Sequence, residues 1–110
     1  MIIVDTMASC KPNKYWKHKT SCHLTSLYED DLKRFAKKLP RKGRRFHRGN
    51  FPHYDLTAEL RDKAIALGAK PISRRVMVRW RKLIVANNTS PAVFDATLRA
   101  MLIGNAMREL

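Results

Sequence analysis

The chain has 110 residues, 45% of them hydrophobic, and a formal net charge of +14 from 23 Lys/Arg against nine Asp/Glu. That length and apolar fraction suit one core, two cysteines are too few for a secreted disulfide framework, and no apolar run approaches the roughly 18 residues of a membrane span. Residues 41–82 carry net +10 of the total and residues 83–110 carry none, an asymmetry that points to a polyanionic partner.

Met1-Ile2-Ile3-Val4-Asp5 lacks a basic n-region and a long apolar stretch. It therefore reads as a short buried strand over Ile2–Val4, not a signal peptide, and a cytoplasmic protein is expected. Residues 8–23 read as a Lys-rich connection with Pro12, Asn13 and the pair Tyr15-Trp16. Trp16 is expected to pin this loop to the core; rings stacking on an unpaired nucleic-acid strand are the alternative. Ser26 and Glu29 have capping-box spacing, and Tyr28, Leu32, Phe35, Ala36 and Leu39 recur with a helical period. Acids in the first turn, Lys37 and Lys38 in the last, and Pro40 beyond complete a predicted first helix.

Arg41 to Arg48 form a basic connector flexible at Gly43 and Gly49, with Arg44, Arg45 and Phe46 as a brief strand. Thr57 is the next N-cap, Leu60, Ala64 and Leu67 mark one face of a second helix, and Gly68 suits its left-handed end. Ala69–Ile72 reads as a strand. Ser73 caps a third helix with an apolar stripe of Val76, Met77, Trp80, Leu83 and Ile84, ended by Asn87-Asn88. Arg74, Arg75, Arg79, Arg81 and Lys82 cover the rest of its surface. Ser90 and Pro91 open a fourth, with Phe94, Leu98, Met101 and Leu102 on one side.

This alternation predicts an α/β fold: a small, mostly parallel sheet with flanking helices, in the order β-α-β-α-β-α-α. One basic α/β domain spans residues 1–84. Residues 85–110 form an amphipathic helix, packed on that domain or at a homodimer contact through Phe94 and Leu98.

The strings Ile3-Val4-Asp5, Cys22-His23-Leu24, His53-Tyr54-Asp55-Leu56-Thr57, Ala64-Ile65-Ala66-Leu67-Gly68-Ala69 and Ile72-Ser73-Arg74 resemble, in that order, a small bacterial and phage family, domain of unknown function 4031. The resemblance spans roughly residues 2–78 and is most specific around His-Tyr-Asp. It implies recurring polar positions at Asp5, His23, His53, Asp55, Ser73 and Arg74. The chain departs from the pattern over residues 6–21. Arg45 and His47 also stand where an aromatic residue and an amide are expected, and Arg75 where an acid is common. The tail from about residue 84 is an addition. With no activity assigned to the family, the resemblance implies an organisation and a site, not a reaction.

The residues argue partly independently for the same site. Asp5 ends a predicted parallel strand, and ligands in open α/β sheets bind beyond the carboxyl ends of strands. His53 and Asp55 precede one helix and Ser73 begins another. A His beside an Asp serves as a general base or a metal ligand; the plainer alternative makes Asp55 a helix cap and His53 a hydrogen-bonded core residue. Asp5, His23, His53 and Asp55 are thus the candidate catalytic set, with metal and cofactor left open. Cys10, His18, Cys22 and His23 lack the paired spacing of structural zinc. No Walker loop, GxSxG or HExxH occurs.

Three functions follow. The expected function, favoured by the basic window, is a nucleic-acid-binding protein that contacts the phosphate backbone through Arg41, Lys42, Arg44, Arg45, Arg48, Arg74, Arg75 and Arg79, and the other two are alternatives. The polar set favours a hydrolase-like enzyme on a nucleotide or phosphodiester. The neutral amphipathic tail favours a phage-type interaction factor that engages a host protein. No membrane partner is expected.

Overall fold

The computed structural model describes residues 1–49, 51–89, 92, 94–96 and 98–99. Its elements run β1 (Ile2–Val4), β2 (Ala8–Ser9), β3 (Thr20–Ser26), α1 (Glu29–Ala36), β4 (Arg44–His47), β5 (His53–Leu56), α2 (Ala58–Ala66), β6 (Lys70–Pro71) and α3 (Arg74–Thr89). Side chains alternate across a strand, so consecutive residues serve opposite faces. Val4 and Ile3 illustrate this. Val4 joins Cys22, Leu24, Tyr54 and Leu56 in a core closed by Leu32, Phe35 and Ala36 of α1 and by Leu60 and Ala64 of α2. Ile3 joins Phe51 and Ile72 in a second core closed by Val76, Met77, Trp80, Leu83 and Ile84 of α3. The result is three layers, with α1 and α2 on one side of the sheet and α3 on the other.

The sheet order is β4-β5-β3-β1-β6, with β2 paired to β3. It is mixed and mostly antiparallel: β1–β6 is parallel, while β1–β3, β2–β3, β3–β5 and β4–β5 are antiparallel. The expectation of a mostly parallel sheet in the order β-α-β-α-β-α-α is therefore corrected. The discrepancy lies in Thr20–Ser26 and His53–Leu56. Their positions on the α3 side hold Ser, His, Thr and Asp, which masked two strands as connections. The direct β4-to-β5 connection then makes a hairpin where a helical crossover would have made the pair parallel.

Smaller corrections have local causes. Ser26 belongs to β3, so the capping box is not formed; Tyr28 is the N-cap of α1 with no side-chain cap bond. Tyr28 and Leu67, expected on buried stripes, are exposed. α3 continues through Asn87 and Asn88 to Thr89, and Asn87 Nδ2 donates to the Leu27 carbonyl. Other signals hold. Thr57 Oγ1 accepts from Leu60 N, Ser73 Oγ accepts from Val76 N, and Gly68 has φ +110° after α2. Trp16 is buried and donates to the Thr20 carbonyl, so it pins its loop. Phe94 and Leu98 pack against the α3 core. The expected opening of a fourth helix at Ser90 and Pro91, with Met101 and Leu102 on its stripe, lies outside the described residues. No helix among the described residues is long and apolar enough to cross a membrane.

Candidate functional site

Strand register brings the site together. His23 faces Asp55 across β3–β5, Asp55 faces Arg45 across β5–β4, and His53 faces His47. Asp5 follows β1, and its N–H donates to the His23 carbonyl at 3.1 Å. Directly opposed residues share a sheet face, so Asp5, His23, Asp55 and Arg45 form one row across the sheet. This row lies on the α3 side, opposite the core that holds Cys22, Leu24, Tyr54 and Leu56.

Asp5 anchors the row. Its side chain is 5% exposed. One carboxylate oxygen accepts the His23 backbone N–H at 2.6 Å and the other faces His23 Nδ1 at 2.9 Å. Arg61 of α2 donates to the Asp5 carbonyl at 2.7 Å, fixing the backbone beneath it. His53 is held differently: its Nδ1 lies 2.7 Å from the Phe51 carbonyl and its ring stacks on Phe51. Its Nε2 is 3.5 Å from Asp55 Oδ1. The His23 and His53 rings meet edge-on with centroids 5.0 Å apart.

A carboxylate and a carbonyl are acceptors only, so both Nδ1 atoms must carry the proton. In the neutral rings each Nε2 then presents a lone pair. The charges respond to this packing. The Asp5 hydrogen bond raises the His23 pKa above its ordinary value, against the opposing effect of burial. Burial would raise the Asp55 carboxyl, but the neighbouring His53, His23 and His47 in their protonated forms bring it below its usual range, His53 through a hydrogen bond as well as its charge.

All four expected catalytic residues thus meet. Ser73 is spent on capping α3, and Thr57, not Asp55, caps α2. The plainer reading of His53 holds in part, since it is hydrogen-bonded and largely buried. Three contributors were missed. His47 lies beside His53, ring centroids 5.2 Å apart; Phe51 supplies the anchoring carbonyl; Arg81 of α3 lies over the Phe51 ring. Only pairing β4 with β5 could have found His47. Cys22 and His23, adjacent on a strand, point to opposite faces, so the Cys10, His18, Cys22, His23 set does not assemble.

The expected phosphate-contacting residues are not equivalent. Arg41, Lys42, Arg74 and Arg75 are exposed and Arg79 is half-buried. Arg45 lies over the exposed Tyr15 ring beside the polar row. Arg48 is tied to Glu29 by two hydrogen bonds of 2.6 and 2.7 Å, and Arg44 rests half-buried over Tyr54.

A mixed sheet between helical layers, with an Asp/His cluster on one face, defines a small α/β protein with a candidate polar centre. By sequence the chain belongs to the family described as "Protein of unknown function (DUF4031)", whose profile matches residues 2–83. Comparisons with curated proteins and with solved structures gave no match.

Proposed function

We propose that the chain is a hydrolase-like enzyme acting on a nucleotide or a nucleic-acid phosphodiester. The observation that carries this reading is the convergence of Asp5, His23, His53 and Asp55 on one sheet face, flanked by Arg45 and Arg81. Hydrolysis needs a water made nucleophilic and an anionic phosphate held beside it. The cluster offers two ring nitrogens and a carboxylate for the first task; the arginines offer charge for the second. The concentration of basic residues in 41–82 would gather a polyanionic substrate to this face.

The test is turnover of labelled single- and double-stranded DNA and RNA oligonucleotides and of a bis-nitrophenyl phosphodiester. We expect Asp55→Asn and His53→Ala to lower the rate by at least about 100-fold, the lower range for a group that activates water. Turnover that both variants retain overturns the reading.

A second reading is a binding module that contacts phosphates without cleaving, favoured by the net charge of +14. It predicts no turnover and a log–log salt slope near about −0.9 per neutralised phosphate on duplex DNA. Arg41, Lys42, Arg45, Arg74 and Arg75 should dominate that slope. Arg48 should contribute little, because Glu29 already pairs with it.

A further inference from the structure

We propose that His23 Nε2, His53 Nε2 and the Asp55 carboxylate together bind one divalent first-row transition-metal ion. The inference deepens the hydrolase reading and rests on it for what the ion does, though not for whether the ion binds.

Three acceptors face one small volume. His23, His53 and Asp55 each offer a ligand atom, and these atoms all lie within 4.8 Å of one another. Asp5 and the Phe51 carbonyl hold both Nδ1 atoms, which leaves both Nε2 atoms for ligation. Among the described residues, neither Nε2 receives a hydrogen bond. With both rings neutral and protonated at Nδ1, two lone pairs and a carboxylate face one another, and a proton on an imidazole or a bound cation relieves their repulsion. His53 Nε2 and Asp55 Oδ1 are 3.5 Å apart, near the roughly 3.4 Å that two ligands on bonds of about 2.1 Å take in a tetrahedral site. The widest pair must draw inward on binding.

The donor set selects the ion. Two imidazoles and one carboxylate suit zinc, iron, cobalt or manganese; calcium and magnesium prefer oxygen ligands alone. Three protein ligands leave open positions, the mark of a catalytic and not a structural metal site. Ligating histidines characteristically donate their other ring N–H to a carboxylate or backbone carbonyl. Asp5 and Phe51 supply one of each, which makes Asp5 a positioning residue. A bound water on this ion would lose a proton near neutral pH. The resulting hydroxide would form the new P–O bond as the ester P–O bond breaks, and the departing alkoxide would take up a proton from solvent. Arg45 and Arg81 stand where the anionic phosphate would approach.

The experiment is Co²⁺ titration of the full, EDTA-treated chain, followed by absorption spectroscopy and by Zn²⁺ competition. We expect one equivalent bound, ligand-field bands of a four- or five-coordinate site, and no thiolate charge-transfer band. Asp55→Asn and His53→Ala should weaken binding more than about 100-fold, and Asp5→Asn by about 10–100-fold, the usual loss for an outer partner. His18→Ala and Cys10→Ser should change nothing. If His53→Ala fails to fold, Asp55→Asn, equal in shape, still decides. Binding weaker than millimolar, a thiolate band, or full affinity in Asp55→Asn overturns the inference. A metal bound here without phosphodiester turnover removes the hydrolase reading alone. Turnover undiminished in EDTA removes the ion's part in the hydrolysis alone.

Discussion

Replacing Asp5 by Asn changes one atom's chemistry with almost no change in shape, and its consequences can be worked through. In the wild type, one carboxylate oxygen takes the His23 backbone N–H at 2.6 Å and the other faces Nδ1 at 2.9 Å. An Asn amide has one acceptor and one donor. Turning the NH₂ toward the backbone N–H would oppose two donors in a buried place, so the oxygen stays there. The NH₂ then meets Nδ1, which must become the acceptor. His23 therefore switches tautomer and carries its proton on Nε2, facing the cluster. A charge-assisted hydrogen bond contributes about 1.5–3 kcal/mol and a neutral one about 0.5–1.5 kcal/mol, so the exchange costs about 1–1.5 kcal/mol. The low end is appropriate, because the His23 side chain is 43% exposed and solvent screens the pair.

Long-range ¹H–¹⁵N correlation spectra of histidine-labelled, metal-free protein distinguish the tautomers directly. Urea unfolding measures the stability change. We expect Nδ1–H for wild-type His23, Nε2–H for the variant, and a loss of about 1 kcal/mol. A wild-type His23 already in the Nε2–H form would refute the reasoning, as would a variant with an unchanged tautomer. A stability loss above about 4 kcal/mol would place Asp5 among the residues whose removal breaks a buried network.

Three further outcomes are expected. Burial and then the neighbouring Asp5 charge push the Cys22 thiol up to about 12, so iodoacetamide at pH 8 should leave Cys22 unmodified until the chain is unfolded; native labelling there by mass spectrometry would contradict its placement. The Arg48 hydrogen bond holds the Glu29 carboxyl below its ordinary value of 4.5; this depressed group contributes stability above pH 4.5 that is lost as pH falls through its folded value. Arg48→Ala should flatten that part of the melting-temperature profile. Phe94 packs on the α3 core half-buried, so Phe94→Asp should cost about 1–3 kcal/mol, less than the range for a fully buried Phe, with unchanged mass by light scattering. Unchanged stability with a halved mass would instead put Phe94 between two copies.

The helices were legible because their signals are local. Leu32, Phe35 and Ala36, or Val76, Met77, Trp80, Leu83 and Ile84, announce a buried stripe by spacing alone, and Thr57, Gly68 and Ser73 mark ends that the backbone then adopts. Strands β3 and β5 were hidden by the polar residues they carry. Cys22-His23-Leu24-Thr25 alternates between the α1/α2 core and the α3 face, but polar groups at His23 and Thr25 make it read as a loop. His53-Tyr54-Asp55-Leu56 does the same. The four candidate residues were singled out by type and by resemblance, whereas their contacts were not legible. Pairing across strands is a long-range fact, and Arg81 enters only because α3 folds back over Phe51.

The same alternation that conceals these strands binds fold and site together. Shifting β5 by one residue against β3 would send His53 and Asp55 into the α1/α2 core and bring Tyr54 and Leu56 out. The apolar set therefore fixes the register, and the register sets His23 opposite Asp55. Along the polar row, Asp5, His23, Asp55 and Arg45 alternate acidic and basic side chains, so each carboxylate lies beside a basic group that can offset its burial. Elsewhere on this face Ile3 and Phe51 are buried under α3. His23 stays 43% exposed, so the row opens to solvent at its centre, where Arg45 and Arg81 supply positive charge. A polar face kept only for solubility would need neither two anchored imidazoles nor a buried carboxylate to orient one of them. This economy of contacts is what supports the proposal that the cluster performs chemistry and that Arg45 and Arg81 would hold an anionic substrate.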